Sequence, residues 1–192
     1  PQRLGITKKI RDKIKEIYQN FSYKPQNKQD IAGSIRDSSD RGVLEKGTLS
    51  MMEGALKVST AQVREIMIPK PQIIFVDSSE EAEEFLPRII KSRHSRFPVF
   101  NKETEEIDGI LLAKDLLPLL SPKNTVKLEL NSLLRPAVLV PESKKLNTLL
   151  DEFRASRNHM AIVIDEYGGI TGLVTIEDVL EEIVGEIEDE HD

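Results

Sequence analysis

Apolar positions in the first third of the chain recur at helical spacing. Between residues 4 and 22, Leu4, Ile10, Ile14, Ile17, Tyr18 and Phe21 share one face, and Lys, Arg, Asp and Glu fill the positions between. This predicts an amphipathic helix. Packing against the rest of the protein and lying on a membrane surface both suit such a pattern. Pro25-Gln26-Asn27 breaks it. A second helix is predicted over about 28–38, closed by the turn residues Asp37-Ser38-Ser39-Asp40-Arg41-Gly42. A third covers about 48–57, with Leu49, Met52, Ala55 and Leu56 on one side. The Met51-Met52 pair reads as core filler rather than a metal site.

From residue 63 the pattern changes to short strands alternating with helices, and the chain repeats itself. Arg93-His94-Ser95-Arg96-Phe97-Pro98-Val99-Phe100-Asn101 lies over Arg157-Asn158-His159-Met160-Ala161-Ile162-Val163-Ile164-Asp165, an offset of 64. Asp108 to Leu117 lies over Thr171 to Leu180 at an offset of 63, so one hairpin turn differs by a residue. Upstream, Met67-Ile68-Pro69 corresponds to Leu134-Arg135-Pro136. Each copy predicts a β-branched strand (73–76; 138–140), a helix (80–93; 144–157), two strands joined by a turn (97–100 and 107–112; 160–165 and 170–174) and a closing helix (114–120; 177–187). Asp165-Glu166-Tyr167-Gly168-Gly169 supplies the glycines of a tight hairpin. A unit of this length buries a marginal core, so the two copies are expected to pack on each other. Ser121-Pro122-Lys123-Asn124 is the expected linker. The predicted fold is therefore α/β (α+β): two βαββα repeats behind N-terminal helices, divided as 1–62, 63–122 and 130–192.

Composition narrows the chemistry. In 192 residues, hydrophobic types make up 39% and aromatics only 5% with no Trp, so the core must rest on Ile, Leu and Val. The net charge of −6 argues against nucleic acid, whose binders present basic surfaces. The lack of Cys excludes disulfides, thiolate metal sites and Cys nucleophiles, and three scattered His argue against a His-rich zinc site. No apolar run approaches the ~18 residues of a spanning helix. The chain starts at Pro1 and stops after an acidic run. The expectation is a piece of a longer protein, cytoplasmic or at the cytoplasmic face of the inner membrane. No nucleophile elbow, Walker loop or G-x-G-x-x-G fingerprint occurs, and the expectation is a binding module rather than an enzyme.

A βαββα repeat with Met-x-Pro at its start (Met67-Ile68-Pro69), an Arg96-Phe97-Pro98-Val99 strand and the turn Gly172-Leu173-Val174-Thr175-Ile176-Glu177-Asp178 resembles the CBS domain, which works as a tandem pair. Longer runs are similar to the CorC/hemolysin C group: His94 to Val99, Ala113 to Pro118, His159 to Gly169, Leu173 to Asp178 and Ile183 to Glu190. Ile35-Arg36-Asp37-Ser38 and Met52-Glu53-Gly54 fit it too. That group is linked to magnesium and cobalt efflux. The resemblance implies a further C-terminal transporter-associated domain in full-length members, and the expectation is that it lies outside this chain.

The resemblance implies an adenosine nucleotide, AMP or ATP with or without Mg2+, held between the repeats. It maps the ribose contact onto Thr175 and Asp178. It sets Ser95, Arg96, Phe97 and Pro98 opposite, Ile68 and Ile73 as the other wall, and Arg96 and His159 toward phosphate. Each residue also has a plainer reading. Thr175-Ile176-Glu177-Asp178 is a capped helix start, Phe97 can be core, Arg96 a solvated charge and His159 a structural histidine. The first repeat keeps Asp115 but has Leu112 where the second has Thr175, so the second site is expected to be the better one. The acidic run 186–192 reads as a solvated tail rather than a Mg2+ site. The resemblance further implies a homodimer, with the helices 80–93 and 144–157 available for it, and a membrane transporter partner. The alternative function is a structural dimerisation module without a ligand.

Overall fold

The computed structural model describes residues 25–120 and 129–185. The predicted helix at 4–22, the linker and the acidic run lie outside the described residues. The chain divides into two compact units between Leu56 and Lys57.

The smaller unit holds α1 (Lys28–Asp40) and most of α2 (Lys46–Val58). Asn27 caps α1: its Oδ1 accepts from the Asp30 N–H at 2.9 Å. Arg36 on α1 pairs with Glu53 on α2. The last two residues of α2, Lys57 and Val58, belong to the larger unit, where Val58 is buried.

The larger unit is mixed α/β and contains both repeats, as the self-similarity predicts. The first comprises β1 (Ile68–Pro69), β2 (Val76–Asp77), α3 (Ala82–Ser92), β3 (Arg96–Asn101), β4 (Glu106–Leu112) and a 3-10 helix (Ala113–Leu120). The second comprises the short α4 (Leu130–Leu133), β5 (Leu139–Pro141), α5 (Leu146–Ser156), β6 (Met160–Ile164), β7 (Ile170–Thr175) and α6 (Ile176–Val184). In each repeat a parallel pair is followed by an antiparallel hairpin: β2–β3–β4, and β5–β6–β7. Both hairpins carry a bulge at the same place, Val99/Phe100 and Val163/Ile164. Both long helices end on a left-handed arginine, Arg93 (φ 60°) and Arg157 (φ 57°). The hairpin turn at Asp165 is tied by its own side chain, whose Oδ1 accepts from the N–H groups of Tyr167 and Gly169 at 2.9 and 2.8 Å.

Two differences from the predicted elements shape the space between the repeats. The predicted strand 73–76 shrinks to Val76–Asp77, because Lys70-Pro71-Gln72 forms a 3-10 turn that carries Ile73 and Ile74 away from the sheet. Upstream of that turn, β1 leaves its own repeat and pairs antiparallel with β7 of the other, Ile68 against Leu173. The counterpart occurs at the second repeat's start: Arg135 and Ile110 exchange both backbone hydrogen bonds, at 2.8 and 2.9 Å.

Each repeat has its own core. Phe85, Phe97, Val99 and Leu111 centre the first, and Leu146, Leu149, Phe153 and Val163 the second. A third cluster joins them, with Ile110, Ile162 and Leu173 buried and Ile68, Ile73 and Met160 packed against it. Val138–Leu139 and Val76 hold the parallel edges in place through ordinary backbone pairing. Asp77, the one buried charged side chain among the described residues, precedes α3. The pKa of its carboxyl lies at about 2, held down first by the Lys102 ammonium 2.7 Å away and then by the Ser79 amide and hydroxyl.

The crossing strands come so close that only glycine fits beneath them. A Cβ on Gly172 would stand 2.6 Å from the Ile68 carbonyl oxygen, and one on Gly109 2.8 Å from that of Arg135. Gly172→Ala and Gly109→Ala should each lower stability in urea by about 1–3 kcal/mol, the range for overpacking. Gly33→Ala, in open space within α1, should not lower it. Unchanged urea midpoints for both crossing variants would contradict the close approach.

Candidate functional site

The exchanged strands leave a cleft at each crossing. The first is a cavity of about 410 Å³. β1, pinned on β7, supplies Ile68, and the 3-10 turn behind it supplies Gln72, Ile73 and Ile74. The left-handed Arg93 turns the chain from α3 into β3, so that His94, Ser95, Arg96, Phe97 and Pro98 run along the opposite side. Met160, Leu173, Thr175, Glu177 and Asp178 complete it from the second repeat. One wall is therefore aliphatic, and the far end is polar.

That polar end is a reciprocal helix cap. The Asp178 N–H donates to Thr175 Oγ1 at 3.2 Å, while the Thr175 N–H and hydroxyl both donate to Asp178 Oδ2, at 2.7 and 2.8 Å. The capping and ligand readings of this motif are thus compatible in geometry. The cap engages Oδ2, and the same carboxylate has a second oxygen able to accept from a ligand hydroxyl. Phe97 is fully buried in the first core and also stands in the cavity wall.

Eight of the ten predicted site residues meet here: Ile68, Ile73, Ser95, Arg96, Phe97, Pro98, Thr175 and Asp178. His159 and Asp115 do not. His159 lines a second cavity of about 390 Å³, which shares Arg96 and Met160 with the first. Its Nδ1 lies 3.3 Å from Glu177 Oε1, and Arg96 Nη1 lies 4.0 Å from the same oxygen. Both basic groups therefore already face a carboxylate that sequence reasoning passed over. Asp115 Oδ2 instead accepts from Arg135 Nη2 at 3.1 Å. Sequence reasoning also missed Met160 and Leu173. The offset alignment carries the signal for them, since they are the counterparts of Arg96 and Ile110.

Among the described residues no cluster of three or more His, Asp or Glu is arranged to hold a metal, and no helix is long and apolar enough to cross a membrane. A tandem βαββα pair with a cleft at each crossing defines a CBS-domain pair. The CBS domain family model matches residues 63–121 and 129–185, and the model for the N-terminal region of NMB0537 matches residues 23–58. The magnesium and cobalt efflux protein CorC of Escherichia coli strain K12 is 48% identical over 92% of this chain, which spans 60% of that protein's length. The CBS domain of the bacterial CNNM/CorC family Mg2+ transporter in complex with ATP is 40% identical, with a TM-score of 0.66, covering 72% of this chain and 97% of that one. A CBS-domain pair with bound AMP from Klebsiella pneumoniae is 30% identical, with a TM-score of 0.58, covering 65% of this chain and 99% of that one. The chain belongs to the CBS-domain family, as a CBS pair of the CNNM/CorC group.

Thr175→Ala removes the cap's hydroxyl and should cost about 1 kcal/mol in urea unfolding, while Thr175→Ser, which keeps it, should cost less. Equal losses for the two variants would show that the methyl group rather than the hydroxyl carries the effect.

Proposed function

We propose that this CBS pair is a regulatory module that binds one adenosine nucleotide, AMP or ATP, in the cleft at Thr175 and Asp178. The observation that carries this reading is the conjunction in one cavity of an aliphatic wall, Ile68, Ile73 and Ile74, with a carboxylate and hydroxyl at its far end. A purine ring suits the first, and ribose hydroxyls, as donors, suit the second. Arg96 is a guanidinium of the same lining that would meet phosphate, and Mg2+ would arrive with a triphosphate rather than occupy a protein cage. The ATP and AMP complexes of the two related CBS structures support the ligand class.

Nucleotide occupancy would bias how the repeats pack, and so regulate magnesium and cobalt efflux through the rest of the protein or a membrane transporter partner, from the cytoplasmic side. The second reading, a structural dimerisation module, is favoured by one observation: the Thr175–Asp178 motif is fully explained as a cap.

Titration should separate the two. Saturating AMP, ADP or ATP, with and without Mg2+, should raise the melting temperature, by the equivalent of about 2.7 kcal/mol at a hundredfold excess over Kd. Asp178→Ala should abolish the rise. No shift at millimolar nucleotide favours the structural reading, and a shift that survives Asp178→Ala places the ligand elsewhere.

A homodimer is part of the proposal. The exposed apolar residues that support it are Ile90 on α3, Leu117 on the 3-10 helix, and Leu180 and Val184 on α6. On α5, part of the sequence expectation, Leu146, Leu149 and Phe153 are instead buried. Leu180→Lys should convert a dimer in sedimentation equilibrium to monomer, and a dimer that persists would point to another face.

A further inference from the structure

The second cavity is the positional counterpart of the first, and most of its lining residues differ. Arg157 to Met160 line it as Arg93 to Arg96 line the first, and Ile110 stands where Leu173 does. The acid is kept as Asp115. Leu112 replaces Thr175, and Arg135, on the crossing strand, replaces Ile68.

These two changes act together on Asp115. Leu112 has no hydroxyl with which to cap the closing helix, and Ala113–Leu120 is a 3-10 helix rather than an α-helix like the one after Thr175. Asp115 is therefore not drawn into a reciprocal cap. Its carboxylate turns to the Arg135 guanidinium. Arg135 is fixed at its backbone by both hydrogen bonds to Ile110, so only its side chain is ordered by the contact. The result differs between the cavities in a direct way: Asp178 lines the first, whereas Arg135, and not Asp115, lines the second.

We infer that Arg135 is a built-in partner of Asp115 at the first-repeat cavity, and that with Leu112 it limits the pair to one nucleotide. This rests on the nucleotide reading of the Thr175/Asp178 cleft. An ion pair as exposed as this one is weak by itself. The exclusion comes from the carboxylate acceptor being engaged by a tethered side chain of the cavity lining, and from the absence of a hydroxyl beside it. Removing Arg135 frees the acceptor, and Leu112→Thr returns the hydroxyl. Neither change alone restores both a free carboxylate and the hydroxyl beside it.

Isothermal titration with AMP tests this. The unaltered chain should bind one equivalent, and Asp178→Ala should bind none. In the Asp178→Ala background, adding Leu112→Thr and Arg135→Ile together should regain one equivalent. Adding Asp115→Ala to that set should weaken it at least about tenfold, or 1.4 kcal/mol. Urea unfolding of every variant establishes that it is folded, and Asp178→Asn and Arg135→Met replace any that is not. Two equivalents bound by the unaltered chain would overturn the inference. So would a folded Asp178→Ala, Leu112→Thr, Arg135→Ile chain that binds nothing while the unaltered chain binds one. An unaltered chain that binds no AMP would instead overturn the nucleotide reading beneath it.

Discussion

Two short backbone crossings organise the larger unit. Ile68-Pro69 leaves the first repeat to pair with β7, and Arg135 leaves the second to pair with β4. Each crossing passes over a glycine, Gly172 or Gly109, because a side chain there would collide with a carbonyl oxygen. The consequence is that neither repeat is complete alone. The third hydrophobic cluster, around Ile110, Ile162 and Leu173, is assembled from both. Burial of these β-branched and leucine side chains, each contributing about 1.5–3 kcal/mol, is what makes the pair rather than the single repeat the stable object.

The same crossings create the clefts. A strand end that lies on the neighbouring repeat must be joined back to its own, and the joining segment, Lys70 to Ile74 in the first repeat, becomes one wall. The opposite wall is the start of the central strand, and the floor is the strand-to-helix junction of the other repeat. The fold therefore offers two pseudo-equivalent sites, and the residues at the crossing and the junction decide what each can do. At one, Ile68 and a Thr–Asp cap leave an apolar wall and an accessible carboxylate. At the other, Leu112 offers no hydroxyl, and the counterpart carboxylate of Asp115 is held in an ion pair with Arg135.

Much of the scaffold was legible because its signals are local or repeated. β-Branched strands, the paired offsets of 63 and 64 and the glycine-rich turn at Asp165 led to the right elements within a few residues. The crossings were not legible as pairing, since a two-residue strand carries no periodicity and its partner lies about a hundred residues away. The Arg135–Asp115 pair was hidden for a related reason. Both residues were aligned with their counterparts, but nothing local says that a guanidinium reaches a carboxylate twenty positions upstream. The candidate cleft itself emerged from the family motif rather than from periodicity. Eight of its residues converge in space, while His159 and Asp115 fall at the neighbouring cavity and at Arg135. Glu177 escaped notice because an acid in a helix's first turn is explained by the helix alone.

Isoleucine δ1-methyl NMR during AMP titration tests the central claim most directly, because isoleucines mark both cavities. Ile68, Ile73 and Ile74 line the first and Ile110 the second. The account predicts saturable shifts that are largest at Ile68 and Ile73, lost in Asp178→Ala. Shifts that are largest at Ile110, or no shift at millimolar AMP, would contradict it.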